Sequence, residues 1–178
     1  MAIKSLAVFC GSKSGNNPEY VKEAIALGHL LGSKKIPLIY GGGNKGIMGA
    51  VSNAVLERKG KVIGIIPEIL KYREHHHEGI TELLIVEDMH TRKKYIYEKC
   101  DAAIILPGGY GTMDEFFEML TWNQLSIHDK KIFILNTAGF YDHLLAFAQT
   151  MQQEDFLYDK IEDKLVVLNR AEDLLQYL

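Results

Sequence analysis

The chain has 178 residues, of which 47% are hydrophobic and 24% are charged, and its formal net charge at pH 7 is −3. This length and apolar content predict one packed domain over residues 1–178 and exclude a disordered chain. The small negative charge, with no long basic run, argues against nucleic acid and anionic membrane surfaces as partners. No apolar stretch reaches the ~20 residues that a membrane helix needs.

Short β-rich runs alternate with longer helical stretches along the whole sequence. Strands are predicted at residues 5–9, 37–40, 62–66, 83–86, 102–106, 132–135 and 165–168. Helices are predicted at residues 18–34, 46–59, 89–100, 113–125, 141–154 and 171–178, and the polar, histidine-rich residues 71–81 are predicted to be a loop. Asn17 and Pro18 suit the N-cap and first position of the first helix. The alternation predicts an α/β fold, a Rossmann-like doubly wound parallel sheet in three α/β/α layers.

Two isolated cysteines, Cys10 and Cys100, each stand beside a predicted strand. Their separation indicates buried thiols in a reducing cytoplasm rather than a disulfide or a metal site. The apolar start of the chain lacks the cleavage pattern of a signal peptide. We therefore expect a cytoplasmic protein.

Glycine follows three of the predicted strands, at Gly11, at residues 41–46 and at residues 108–111. Ligands of open α/β sheets bind beyond the carboxyl ends of the strands, where glycine lets backbone N–H groups approach an anion closely. Residues 107–112 (PGGYGT) suit a phosphate best, because they join an apolar strand directly to a helix with a hydroxyl at its start. The alternative is a tight turn that binds nothing. Neither a Walker lysine pattern nor a GxGxxG spacing follows the first predicted strand, which argues against an NTPase or a dinucleotide enzyme.

Glu115 has two interpretations. Thr112 and Glu115 have the T-x-x-E spacing of a capping box, in which the glutamate only accepts the Thr112 backbone N–H. By spacing alone this interpretation is favoured. In the other, Glu115 faces the sugar of a ligand whose phosphate lies in the same loop, and it stabilises an oxocarbenium-like centre or activates water.

Arg92 and Lys93 open the helix that follows the fourth predicted strand, although the helix dipole disfavours cations there. A clamp on phosphate would justify Arg92, and the alternative is a solvated charged face continued by Lys94. Three consecutive histidines at residues 75–77 are predicted to belong to a solvated loop rather than to a metal site, since their side chains point different ways and no set of Asp, Glu and His at ligand spacing supports them. Tyr110, inside the glycine loop, is placed to touch a ligand.

Several of these segments together resemble one family. Residues 107–115 (PGGYGTMDE) resemble the PGGxGTxxE motif of the LONELY GUY (LOG) family, the cytokinin riboside 5′-monophosphate phosphoribohydrolases that are often mislabelled lysine decarboxylases. Residues 8–12 (VFCGS), 40–49 (YGGGNKGIMG), 89–93 (MHTRK) and 121–128 (TWNQLSIH) resemble further family segments in the same order. One departure is Asp114, where relatives often carry glutamate.

The resemblance implies that Arg92 and Glu115 are the catalytic pair and that residues 109–112 hold the phosphate. It also implies a homodimer with sites near the subunit interface, so that Thr121 could serve the neighbouring site. With the glycine loops included, the predicted substrate-binding residues are Gly11, Ser12, Gly42, Gly43, Glu74, Lys93, Gly108, Gly109, Tyr110, Gly111, Thr112 and Thr121.

The expected reaction is the hydrolysis of the N-glycosidic bond of an N6-modified adenosine 5′-monophosphate without metal or cofactor. Arg92 would counter the phosphate charge, and Glu115 would either stabilise the ribose cation or take a proton from water. One alternative is a nucleosidase for AMP or other purine nucleotides. A second is a Rossmann-type carrier that holds a nucleotide or a pterin without turnover. A third is a decarboxylase, which would need a Schiff-base lysine, and neither Lys45 nor Lys93 has a sequence context that supports one.

Overall fold

Seven parallel strands form the central sheet in the computed structural model, which describes residues 3–71 and 75–178. The strands are β1 (Leu6–Phe9), β2 (Leu38–Tyr40), β3 (Val62–Pro67), β4 (Glu82–Val86), β5 (Ala102–Ile105), β6 (Lys131–Leu135) and β7 (Leu165–Leu168). Their order across the sheet is β4-β3-β2-β1-β5-β6-β7, and each neighbouring pair is parallel. The predicted doubly wound parallel sheet is confirmed.

Helices cover both faces of this sheet. They are α1 (Pro18–Lys34), α2 (Gly46–Glu57), α3 (Glu68–Lys71), α4 (Met89–Lys99), α5 (Tyr110–Gln124), α6 (Asp142–Gln153) and α7 (Ile161–Lys164), with 3₁₀ segments at Thr137–Gly139 and Ala171–Tyr177. Alternate residues of β1 divide between the faces, because side chains of a strand point to opposite sides. Leu6 and Val8 join the core under α1 and α2, whereas Ala7 and Phe9 join the core under α4 and α5.

The strand order reverses at β1. The chain builds outward from β1 to β4 and then returns to place β5 on the other side of β1. Loops that leave neighbouring strands in opposite directions open a crevice at such a point, where ligands of this fold class bind. The loops that begin at Cys10 and Leu106 flank this crevice.

The predicted boundaries hold for most elements and fail at three. Asn17 caps α1 as expected, since its Oδ1 accepts the Glu19 N–H at 3.0 Å. Helix α5 begins at Tyr110 instead of residue 113, because extended Gly109 acts as its N-cap and accepts the Met113 N–H at 3.1 Å. The last segment is 3₁₀ rather than α-helical, and Lys71, which was assigned to a loop, ends α3.

The two cysteines are buried free thiols, as the sequence indicated. Within residues 3–71 and 75–178, no helix combines the length and the apolar character needed to cross a membrane.

Candidate active site

The loops after β1 and β5 meet at the reversal point of the sheet. The Gly11 N–H donates to the Pro107 carbonyl at 3.0 Å, and a Cβ on Gly11 would stand 3.3 Å from the Cα of Gly108. Beside this contact is a cavity of about 230 Å³, whose lining includes Ser12 and Gly109. The structure thus brings the first and third predicted glycine loops together at one crevice.

The N-terminus of α5 opens onto free space. A Cβ built on Gly109 or on Gly111 would meet nothing within 4 Å, and neither residue has a positive φ. Glycine at these two positions is therefore required neither by packing nor by backbone strain. The first N–H groups of an α-helix lack intrahelical acceptors and carry the positive end of its dipole. This open N-terminus has the properties of an anion site.

Gly108 differs from these two glycines. A Cβ there would collide with the side chain of Thr112, which is 4% exposed. Gly108 thus allows the buried threonine to pack against the loop and so fixes the position of the first turn of α5. Tyr110, by contrast, is 97% exposed at the first position of the helix.

The capping-box interpretation of Glu115 is wrong. Because α5 begins at Tyr110 after its N-cap Gly109, Thr112 lies inside the first turn and Glu115 lies a full turn further on. Residues three apart share a face of a helix, so Thr112 and Glu115 lie on the same buried side. Glu115 is 8% exposed. The pKa of Cys10, just after β1, is raised chiefly by burial of that thiol and secondly by the negative charge of Glu115. The carboxylate therefore lies under the crevice.

Arg92 reaches the same place from α4. The Asp88 carboxylate caps this helix by accepting the Thr91 N–H at 2.7 Å, a bond that lowers the pKa of Asp88. Arg92 is 4% exposed, and a Cβ on Gly41 would collide with its guanidinium, so the missing side chain after β2 gives it room. Its Nη2 lies 3.9 Å from Glu115 Oε1. The alternative of a solvated charged face is wrong for Arg92, although it describes Lys94, whose side chain is 66% exposed.

Lys93 has two carboxylate partners on α5. Its Nζ lies 3.0 Å from Asp114 Oδ2 and 3.3 Å from Glu118 Oε1, and its side chain is 14% exposed. Burial alone would lower the pKa of Lys93, but its bonds to these two acids outweigh burial and leave the pKa above its ordinary value. The ammonium is thus committed to an ion cluster between the two helices.

The second glycine loop is held by the histidine segment. Gly42 adopts a φ of +80° and its carbonyl accepts the His77 N–H at 2.9 Å, while Gly43 forms an isolated bridge with His76. His77 is only 6% exposed, so the expected solvated loop is wrong for this residue. Its ring bonds Asn53, whereas the ring of His76 bonds the Lys71 carbonyl.

Thr121 lies apart from the Arg92–Glu115 pair. It is six residues beyond Glu115, roughly 9 Å along α5, and its hydroxyl donates to the Phe117 carbonyl at 2.7 Å. It lines an apolar groove of about 240 Å³ between α5, α6 and α7. Glu74, which was also predicted to bind the substrate, lies outside the described residues.

Sequence reasoning missed two aromatic residues of the crevice. Phe140 and Tyr20 line the cavity at the reversal point, and their rings pack edge to face with centroids 5.4 Å apart. Phe140 follows Ala138, which adopts a φ of +52° that a residue with a Cβ rarely takes. The signal available in the sequence was position: residues 136–140 follow β6, whose carboxyl end neighbours that of β5.

Comparison with known proteins places this arrangement in a family. The family model "Possible lysine decarboxylase" matches residues 48–178. The cytokinin riboside 5′-monophosphate phosphoribohydrolase LOG2 of Arabidopsis thaliana is 44% identical over 175 residues, covering 98% of this chain and 82% of that protein. A probable phosphoribohydrolase of rice, LOGL1 of Oryza sativa subsp. japonica, is 43% identical over 96% of this chain and 77% of its own length. The chain belongs to the LOG family.

Solved structures agree with this assignment at the level of fold. The molybdenum cofactor binding protein of Rippkaea orientalis superposes with a TM-score of 0.72 at 20% identity, covering 99% of this LOG-family chain and 95% of its own. The molybdenum cofactor carrier protein of Chlamydomonas reinhardtii gives a TM-score of 0.72 at 15% identity, covering 97% and 93%. At these identities the likeness extends to the fold alone.

The decarboxylase description of the family model does not fit the lysines of this LOG-family site. A Schiff-base lysine must be readily deprotonated, which requires a lowered pKa. The pKa of Lys93 is raised by two carboxylates, and Lys45 is exposed, with its Nζ 3.2 Å from the Nε2 of His75. Among residues 3–71 and 75–178, no three His, Cys, Asp or Glu side chains are grouped to hold a metal ion.

Proposed function

We propose that this protein hydrolyses the N-glycosidic bond of N6-modified adenosine 5′-monophosphates and releases the free base and ribose 5-phosphate. One observation carries the proposal. A buried guanidinium–carboxylate pair, with Arg92 Nη2 and Glu115 Oε1 3.9 Å apart, lies one helical turn behind an open helix N-terminus. An anion site and a buried carboxylate at this spacing suit a substrate that carries its phosphate close to the reacting carbon.

The phosphate binds at the N-terminus of α5, in the space beside Gly109 and Gly111. There the helix dipole and the first N–H groups attract it, and Ser12 and Gly11 of the facing loop complete the cradle. Binding energy from this remote group fixes the position of C1′, which is the usual way in which a non-reacting part of a substrate accelerates reaction.

Glu115 acts at C1′. As the C1′–N9 bond breaks, the base leaves with the bonding pair and takes up a proton, and the ribose becomes oxocarbenium-like. The Glu115 carboxylate stabilises this positive charge and accepts a proton from the water whose oxygen adds to C1′. Arg92 balances the charge of the carboxylate and adds positive charge near the phosphate. The products are the base and ribose 5-phosphate, and the only co-reactant is water.

The test is separate incubation with AMP and with isopentenyl-AMP, followed by assay of free base and ribose 5-phosphate, with adenosine as the control. We expect hydrolysis of the nucleotides, faster for the prenylated one, and kcat/KM for adenosine lower by a factor on the order of 10² or more. Equal rates for AMP and isopentenyl-AMP would indicate a general purine nucleotide hydrolase. Tight binding of both without turnover would indicate a carrier and contradict the proposal.

We also propose that the enzyme is a cytoplasmic homodimer. Support for the dimer comes from large apolar side chains that are exposed on and after α5, with Phe117 39%, Leu125 62% and Ile127 56% exposed. Trp122 on the same helix packs edge to face on Tyr97 of its own chain, with ring centroids 5.0 Å apart. The buried free thiols of Cys10 and Cys100 suit a reducing compartment.

A further inference from the structure

Three charged side chains tie α4 to α5. Lys93 on α4 lies between Asp114 and Glu118, which are four residues apart on α5, and its Nζ hydrogen-bonds Asp114 Oδ1 at 3.1 Å and Glu118 Oε1 at 3.3 Å. Only 14% of the lysine side chain and 26% of the Glu118 side chain are exposed, so solvent weakens their contact less than the one to Asp114, whose side chain is 55% exposed. We call these three residues the Lys93 cluster.

The Lys93 cluster joins the same two helices as the catalytic pair, at adjacent positions. Lys93 follows Arg92 on α4, and Asp114 precedes Glu115 on α5. One turn further along both helices, Tyr97 and Trp122 pack edge to face with ring centroids 5.0 Å apart. The helices are therefore fastened at two successive levels, and the first level lies directly beside Arg92 and Glu115.

The cluster supplies contacts of a kind that the Arg92–Glu115 contact does not. The 3.9 Å separation of Arg92 Nη2 and Glu115 Oε1 is beyond hydrogen-bond range, so this contact sets no direction between the two groups. The Lys93 bonds are within range and are charge-assisted, which makes them both stronger and more directional. Without the ammonium, Asp114 and Glu118 would repel each other at i, i+4 and the two helices would lose this fastening.

We infer that Lys93 is a positioning residue that, through Asp114 and Glu118, holds Arg92 in register with Glu115. This role rests on the proposed function, and it differs from the direct substrate contact that family resemblance implies for Lys93. It also assigns a purpose to Asp114 and Glu118, which lie outside the catalytic pair. The three residues work as one unit, so removing either side of the cluster has the same consequence.

The kinetic test compares both sides of the cluster. Lys93→Met and the double variant Asp114→Asn/Glu118→Gln should each lower kcat about tenfold to a hundredfold with KM nearly unchanged, because misplacement by about 1 Å can cost that much. The two effects should not add when combined. Lys93→Arg, which keeps a cation, should retain most activity. Lys94→Met is the matched control, since Lys94 makes only an exposed pair with Glu98 on the same helix.

Other outcomes overturn the inference. A raised KM in Lys93→Met, together with normal kinetics in the Asp114→Asn/Glu118→Gln variant, would mean that Lys93 touches the substrate. The triple variant has no unpaired charge in the cluster and should regain the melting temperature that Lys93→Met loses. Activity that returns with that stability would mean that the cluster only stabilises the fold.

A second measurement does not depend on turnover. The chain has four arginines, Arg58, Arg73, Arg92 and Arg170, so the Nε–H resonance of Arg92 can be identified by its loss in Arg92→Lys. This resonance should move in Lys93→Met and in Asp114→Asn/Glu118→Gln but not in Lys94→Met. An unmoved resonance refutes the positioning role. Absence of nucleotide hydrolysis by the unaltered protein, with a resonance that moves as expected, would refute only the proposed function.

Discussion

Replacement of Glu115 by glutamine tests the catalytic pair most directly, because it keeps the shape of the side chain and removes only its charge. At 3.9 Å and an effective dielectric constant of about 20, the attraction between Arg92 and Glu115 is about 4 kcal/mol. Removing the carboxylate also removes its own desolvation cost, which is several kcal/mol for a buried ion. The buried Arg92 charge is then less well compensated, so the net loss of stability should be about 3–5 kcal/mol, and the melting temperature should fall by roughly 2–4 °C for each kcal/mol.

The loss of activity should be much larger than the fraction of protein that this loss of stability could unfold. An uncharged Glu115→Gln side chain cannot stabilise an oxocarbenium-like C1′, so turnover should fall by 10² or more, equivalent to about 2.7 kcal/mol of transition-state stabilisation. Binding of AMP should persist, or tighten, because a negative charge near the phosphate is removed.

The assay combines thermal melting, calorimetric AMP binding and steady-state hydrolysis on the same preparation. Glu98→Gln is the matched control, since Glu98 lies in an exposed ion pair with Lys94 and should change none of the three. Normal hydrolysis by folded Glu115→Gln would refute the mechanism. Loss of AMP binding in parallel with activity would instead show that Glu115 serves binding.

Four further predictions concern the loops, the ions and the assembly. Gly109→Ala and Gly111→Ala should both fold, since a Cβ there meets no protein atom, and Gly111→Ala should raise the melting temperature slightly, because alanine favours a helix over glycine by about 1 kcal/mol. Both should weaken AMP binding, measured by calorimetry, by on the order of tenfold, about 1.4 kcal/mol. Hydrolysis should continue in EDTA, and a loss of activity that is reversed by adding a divalent ion would contradict a metal-free mechanism. Light scattering at micromolar concentration should give a dimer, and a monomer would refute that proposal. Burial lowers the pKa of His77 below its ordinary 6.5, so its contribution to stability is complete above that pH and is lost as the pH falls. Between about pH 7 and about pH 5 the melting temperature should therefore fall more for the unaltered protein than for His77→Gln. An equal fall in both proteins would refute this.

Periodicity was sufficient to predict the parallel sheet, because each strand contains a short apolar run, but it missed the four-residue helices α3 and α7 and misplaced the start of α5. The error at α5 has a physical cause. Gly111 is a poor helix former, costing about 1 kcal/mol relative to alanine, so propensity argued for a start after it. The real start uses the extended Gly109 as N-cap, and the open space beside both glycines suggests a requirement other than helix propensity.

The glycine loops could be predicted from the sequence, but the state of the charges between them could not. Arg92, Lys93 and Lys94 are consecutive cations, and no local signal separates them. In the fold, Arg92 is buried against Gly41 and Glu115. Lys93 bridges two acids of the next helix, and Lys94 faces solvent. Successive residues of a helix point about 100° apart, so three neighbours meet three environments. Only tertiary packing decides which environment each one meets.

The position of Arg92 also bears on why the pair exists. A cation in the first turns of α4 opposes the helix dipole, and burying it costs further free energy. Asp88 and the Lys93 cluster offset part of this by bringing three carboxylates to the same end of the helix pair. A well-packed apolar pair at positions 92 and 115 would commonly be as stable as this ion pair or more so. Stability therefore does not account for Arg92 and Glu115, whereas the proposed stabilisation of charge beside a bound phosphate and a cationic sugar would.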